Sequence, residues 1–144
     1  MSIAAILGTK GTDVIRVPPT TPITDVVHLL GERRIGAVLV MDEPGRVLGI
    51  LSERDIIGAL ARHGTAALDQ PASALMTQAL WTISRDGTTA EAMRIMTDHR
   101  VRHLPVMEDG TLVGLVSIGD IVKARLDQQA TEVESLRAYV GGMH

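Results

Sequence analysis

The strongest constraint on this chain is that it contains the same segment twice. Ile35–Asp42 lies over Val101–Glu108 at an offset of 66 positions, and Asp25–Leu30 lies over Glu91–Met96 at the same offset. After one residue is skipped at Pro44, Val47–Ile56 lies over Leu112–Ile121. Two copies of roughly 50 residues account for most of the 144-residue chain. A lone unit of that size cannot cover its own apolar faces, so two copies packed on each other are the expected solution.

Each copy carries the same order of signals. A short opening strand (Val14–Val17 and Leu80–Ile83) precedes a turn. A helix follows, with apolar residues at helical spacing: Ile23, Val26, Val27 and Leu30, matched by Thr89, Ala92, Met93 and Met96. Thr21-Pro22 and the pair Thr88 and Glu91 are helix starts. Two strands come next, Ala37–Met41 to Val47–Leu51 and His103–Met107 to Leu112–Val116, with hairpin turns at Asp42–Gly45 and Glu108–Gly110. A second helix begins after Ser52 and after Ser117. The strands are continuous apolar runs, the pattern of strands covered on both faces. The expected fold class is therefore α/β (α+β): two pseudo-symmetric β-α-β-β-α repeats packed sheet to sheet, plus a long C-terminal helix. The whole chain, 1–144, is read as one module, with repeats at 11–62 and 73–126 and a linker at 63–72. Residues 127–142 are read as a helical extension. Val122, Leu126, Ala130, Val133, Leu136 and Val140 form one apolar stripe, which packs either on the chain's own core or on another subunit. Gly141-Gly142 is expected to end that helix.

Composition removes several classes of function. There is no cysteine, which excludes disulfides, zinc ribbons, thiol catalysis and iron–sulfur clusters. The five histidines show neither an HExxH pattern nor a carboxylate cluster, so no metal site is expected. A net charge of −3, with one Trp, one Tyr and no Phe, provides neither a basic footprint nor a stacking platform, so nucleic acid is not an expected partner. No apolar run reaches the roughly 18 residues of a membrane span, and the mildly apolar N-terminus lacks a basic leader. The expectation is a soluble cytoplasmic protein with no membrane partner. No nucleophile–base pair is visible, and Gly8–Gly11 lacks the spacing of a phosphate-binding P-loop, so no catalytic residue is assigned.

One pattern carries chemistry. Both copies contain h-x-G-h-h-S-x-x-D, where h is apolar: Val47–Asp55 with Gly49, Ser52 and Asp55, and Leu112–Asp120 with Gly114, Ser117 and Asp120. Ser-x-x-Asp at a strand-to-helix turn is close to a capping box, in which each side chain satisfies a backbone N–H. The same geometry suits a ligand. A helix start offers free N–H groups, and an ionised Asp can accept from both hydroxyls of a ribose. Capping alone requires neither the Gly nor the preceding strand, yet both recur.

The duplicated unit, the G-h-h-S-x-x-D pattern in each copy and Arg102–Val106 in the second resemble a tandem cystathionine β-synthase (CBS) domain pair, of the kind found as small stand-alone bacterial proteins. The resemblance covers Asp13 to Leu126. It implies a non-catalytic regulatory module that binds an adenine nucleotide in clefts between the repeats, AMP first and ATP or NAD as alternatives. It also implies a homodimer and a regulated protein partner. Ser52 and Asp55 would hold one nucleotide, with Asp55 on the ribose, and Ser117 and Asp120 a second. Leu39, Ile50, Pro105, Leu115, Val14 and Leu80 match the apolar surroundings of adenine. Arg102 and His103 match the basic residues that reach phosphate. The first repeat departs from this, with Gly36-Ala37 in place of Arg102-His103 and Leu39 in place of Pro105. In the family, the cations of one repeat tend to serve the other repeat's Asp. The Asp55 cleft is therefore expected to prefer phosphorylated ligands, and the Asp120 cleft to bind more weakly or favour a nucleoside. The competing reading is a structural dimerisation scaffold with degenerate ligand sites.

Overall fold

The computed structural model describes residues 1–43 and 45–142. The elements run α1 (Ile3–Lys10), β1 (Arg16–Val17), α2 (Ile23–Arg33), β2 (Ala37–Met41), β3 (Val47–Ser52), α3 (Glu53–His63), a 3₁₀ segment (Gly64–Asp69), α4 (Ala72–Leu75), α5 (Thr89–His99), β4 (His103–Glu108), β5 (Thr111–Ser117) and α6 (Ile118–Gly142). The chain divides into two compact units. One is Asp13–Leu80, and the other joins Met1–Thr12 to the chain from Trp81 onward.

In the first-repeat unit β1 lies parallel to β2, and β2 antiparallel to β3. Every residue of β2 is buried, as its unbroken apolar run predicts. Helix α2 starts at Pro22 and buries Ile23, Val26 and Leu30 against Val38, Val40 and Leu51. Val27, on the same helical spacing, is exposed, as is its counterpart Met93. Positions i, i+3 and i+7 already fill the facing stripe, and the next residue round the helix points away from it. Both α2 and α5 end on an arginine in the left-handed region, Arg34 (φ 53°) and Arg100 (φ 54°).

The segment expected as a linker is folded. Thr24 Oγ1 donates to the Leu68 carbonyl (3.0 Å), Ile23 N–H to Gln70 (2.9 Å) and Ala72 N–H to Thr21 (2.7 Å). These bonds hold the 3₁₀ segment and α4 against the start of α2. The chain then crosses β3, where Ile50 and Thr77 exchange both backbone hydrogen bonds (3.0 and 2.8 Å).

The second-repeat unit has a two-stranded sheet, β4 and β5. Its hairpin turns through Asp109 (φ 50°) and Gly110 (φ 77°), the double left-handed pattern of a tight Asp-Gly turn. Both hairpins shift register at the same point, Val40/Met41 and Val106/Met107. The expected opening strand Leu80–Ile83 is not a strand, and only Ile83 bridges to Val106. The cause is Pro105. In the first repeat, Leu39 N–H donates to the Ile15 carbonyl (3.1 Å). The equivalent donor in the second repeat is a proline nitrogen, which has no hydrogen, so the ladder cannot extend to Trp81. The other opening strand is also shorter than expected, two residues in place of Val14–Val17.

Helix α1 was not foreseen. Ser2 caps it by accepting from Ala5 N–H (3.2 Å), and Ile3, Ile6 and Leu7 complete the core formed by Ala92, Met96, Leu104, Val106 and Val116. Among its described residues, helix α6 contributes Ile121 and Ala124 to that core. Beyond them its stripe of Leu126, Val133, Leu136 and Val140 is exposed, so packing on the unit's own core is not what the stripe does. The helix continues through Gly141-Gly142 instead of stopping there. No helix among the described residues is long and apolar enough to cross a membrane.

Candidate functional site

The two Ser-Asp pairs are built alike. Ser52 is the last residue of β3, in extended conformation, and caps α3. Asp55 N–H donates to Ser52 Oγ (3.3 Å), while Ser52 N–H and Oγ–H donate to Asp55 Oδ2 (2.9 and 3.0 Å). At the start of α6, Asp120 N–H donates to Ser117 Oγ (3.1 Å) and Ser117 N–H to Asp120 Oδ2 (2.8 Å). Both are reciprocal capping boxes, so the structural role is real. It uses one oxygen of each carboxylate for the helix start.

A third group approaches each carboxylate from the segment just ahead of the other repeat. In the first-repeat unit it is neutral: Thr77 Oγ1–H donates to Asp55 Oδ1 (3.2 Å). In the second-repeat unit it is a cation: Lys10 Nζ donates to Asp120 Oδ2 (2.6 Å) and to the Leu115 carbonyl (2.9 Å). The motif glycines make these approaches possible. A Cβ on Gly49 would lie 2.8 Å from Met76 Sδ and 2.8 Å from the Thr77 carbonyl oxygen. A Cβ on Gly114 would lie 2.7 Å from Leu7 Cδ2. The glycine that helix capping did not explain is therefore a contact surface for Met76–Thr77 and for α1.

Partial burial pushes the Asp120 carboxyl up. The hydrogen bond from Lys10, the Ser117 N–H, the Lys10 charge and the Ser117 hydroxyl together outweigh it, and hold the group below its ordinary value.

A family profile for the CBS domain matches residues 9–62 and 72–127. The chain belongs to the CBS-domain family. It is 33% identical over 123 residues to a mitochondrial CBS domain-containing protein of Arabidopsis thaliana, a match covering 82% of this chain and 59% of the plant protein. The chain thus spans about three fifths of that relative's length. Among solved structures it resembles a CBS-domain protein of Agrobacterium tumefaciens (44% identity, TM-score 0.85, 87% of this chain and 99% of that one). It also resembles a CBS domain protein of Pyrobaculum aerophilum complexed with AMP (28% identity, TM-score 0.76, 91% and 99%).

The CBS repeats bring most of the sequence-derived residues into two groups. Leu39 and Ile50 are cross-strand partners on the sheet whose strand β3 ends at Ser52, ahead of Asp55 in α3. Pro105 and Leu115 are partners on the sheet whose strand β5 ends at Ser117, ahead of Asp120 in α6, and His103 stands opposite Ser117. The Arg102 carbonyl accepts from Ile118 N–H (2.8 Å), and the residue is exposed. Val14 and Leu80 are half-buried, both in the first-repeat unit. Trp81 stacks on His99 (centroids 3.4 Å apart, 9° between planes). An apolar groove of about 700 Å³ beside α2 and α3, lined by Val27, Ile35, Ile57 and Leu60 among others, includes neither Ser52 nor Asp55. Among the described residues no three metal-ligating side chains gather.

Lys10 and Thr77 were missed. The repeat offset contains a signal for them: Lys10-Gly11 stands over Met76-Thr77, just ahead of each repeat. The sequence reading left the Asp120 side without a cation, and Lys10 supplies one.

Proposed function

We propose that this CBS protein is a non-catalytic sensor that binds an adenine nucleotide at Ser52/Asp55 and at Ser117/Asp120. AMP is the leading ligand, and ATP and NAD are the alternatives. The observation that carries the reading is the duplicated arrangement of a carboxylate at a helix start, beside an apolar cross-strand pair and faced by a third polar group. Such a carboxylate can receive ribose hydroxyls while an apolar wall receives a base. The similarity to an AMP-bound archaeal relative supports the same class of ligand. Arg102 and His103 are assigned to phosphate, and Val14 and Leu80 to the base. Occupancy would shift the populations of module or dimer states and so reach a regulated protein.

The second copy of this chain is the proposed dimer partner. Exposed apolar residues recur at equivalent positions on the two helix pairs, Val27 and Ile57 on one, Met93 and Val122 on the other. Helix pairs that present the same chemistry in each unit suit contacts with a second copy.

A thermal-shift panel of AMP, ADP, ATP, NAD and S-adenosylmethionine tests the reading. A ligand at 100 times its Kd adds about 2.7 kcal/mol, which for a chain of this size raises Tm by about 5–10 °C. The shift should fall in Asp55→Ala, in Asp120→Ala, or in both. One observation favours the alternative, a dimer scaffold with degenerate sites: both Ser-Asp pairs already serve as helix caps. A flat panel on nucleotide-free protein would establish that alternative.

A further inference from the structure

Resting on the nucleotide reading above, we propose that Lys10 makes the Asp120 site selective for phosphorylated ligands. Its ammonium holds the carboxylate until a ribose displaces it, and then pairs with the phosphate that the same ligand brings.

The pseudo-symmetry of the two repeats breaks at this contact. In the first repeat the Ile50 carbonyl accepts from Thr77 N–H (2.8 Å) and Asp55 accepts from the Thr77 hydroxyl (3.2 Å). In the second repeat the equivalent carbonyl, Leu115, and the Asp120 carboxylate are both served by one Lys10 Nζ, at Oδ2, the oxygen that also accepts the Ser117 N–H. The backbone at that point is tied elsewhere, because Gly11 N–H donates to the Leu7 carbonyl at the end of α1 (2.8 Å). Thr77 is thus fixed through main chain. Lys10 reaches its acceptors only through a flexible four-carbon stem, and its side chain is 35% exposed. It can release both acceptors without disturbing a strand.

The chemistry of release depends on the ligand. A ribose diol arriving at Asp120 donates neutral hydrogen bonds in place of a charge-assisted one. With a nucleoside the ammonium is left facing water, and the exchange is a net loss. With a nucleotide the displaced Nζ meets a dianionic phosphate, the charge pair is restored, and repulsion between phosphate and Asp120 is offset. This reverses the sequence expectation that the Asp120 side favours a nucleoside.

The test uses the full chain in an Asp55→Ala background, so that the Asp120 site is read alone. AMP and adenosine are titrated calorimetrically into that protein and into the same protein carrying Lys10→Met, which keeps an apolar stem and copies Met76. The expected result is that Lys10→Met lowers the AMP-to-adenosine preference by about tenfold, the worth of one partly screened charge-assisted contact, with adenosine binding tighter. Lys10→Arg should restore the preference. A ratio unchanged within about twofold overturns the proposal, including the case in which both ligands weaken equally because α1 has merely been loosened. If wild type binds AMP through Asp55 yet the ratio does not move, the nucleotide reading survives and the Lys10 proposal falls. If neither ligand binds wild type, the Asp55→Ala protein or the Lys10 variants, both fall together.

Discussion

Gly49→Ala is the sharpest probe of how the CBS motif is built. The Gly49 backbone does not lie in the left-handed region, so alanine itself fits the local conformation. With open space around it, the substitution would stabilise the fold by about 0.4–1 kcal/mol through the unfolded chain. The space is not open. The new Cβ would stand 2.8 Å from the Thr77 carbonyl oxygen and 2.8 and 2.9 Å from Met76 Sδ and Cγ. Ordinary carbon contacts begin near 3.5 Å, so the Met76–Thr77 segment must retreat by about 0.7 Å. Overpacking of that kind costs about 1–3 kcal/mol. The retreat also strains the two Ile50–Thr77 backbone bonds and the Thr77–Asp55 bond, each worth about 1 kcal/mol net. The expected loss is about 3 kcal/mol, a fall in Tm of about 9 °C. Gly114→Ala meets only the ends of a side chain, Leu7 Cδ2 at 2.7 Å and Cδ1 at 3.0 Å, and should lose about 1–2 kcal/mol. Urea denaturation followed by circular dichroism measures both, and amide exchange at Thr77 reports the local bridge. A Gly49→Ala protein as stable as wild type, or an inverted order of the two variants, would refute the close-approach account of these glycines.

Three further outcomes follow from named contacts. Lys10→Met should destabilise the protein by about 0.5–1 kcal/mol at pH 6, since the pair is partly solvent-screened. Because Asp120 is held below the unfolded Asp value of about 3.9, that difference should be complete above it and vanish as pH falls through the folded value; an equal gap at pH 3 would show that the ion pair is not its source. Pro105→Leu supplies the N–H that Leu39 has, so its new amide should exchange slowly through a bond to the Trp81 carbonyl; fast exchange would remove proline as the reason the strand is missing. Removing residues 128–144 takes away a helical segment that is exposed from Gln129 to Val140, so it should leave monomer stability unchanged within about 0.5 kcal/mol while weakening self-association in sedimentation. Unchanged association would mean the apolar stripe is not a contact between copies.

The hairpins and the helix starts were legible because their signals are local. A Ser before a helix, an Asp-Gly turn and a run such as Ala37–Met41 each state their conformation within a few residues. Ser52, Asp55, Ser117 and Asp120 were found by recurrence alone, and the structure places each at the predicted strand-to-helix turn. The misses have a different cause. Val27 and Met93 fit the helical spacing of a core stripe, but spacing does not say how wide the facing surface is. Leu80–Ile83 looked like Val14–Val17, and what kept it from pairing was a proline on the partner strand.

The sequence by itself therefore determined the duplicated unit, the order of its elements, the helix caps and the two acidic positions. All of these rest on contacts within a few residues or on self-comparison. Only the tertiary structure decided that Met1–Thr12 folds with the second repeat, that Gly49 and Gly114 are glycines because other chain lies against them, and that Lys10 faces Asp120. The physical reason is the separation along the chain. Lys10 and Asp120 are 110 positions apart, and no local propensity records a partner that arrives only when distant segments pack.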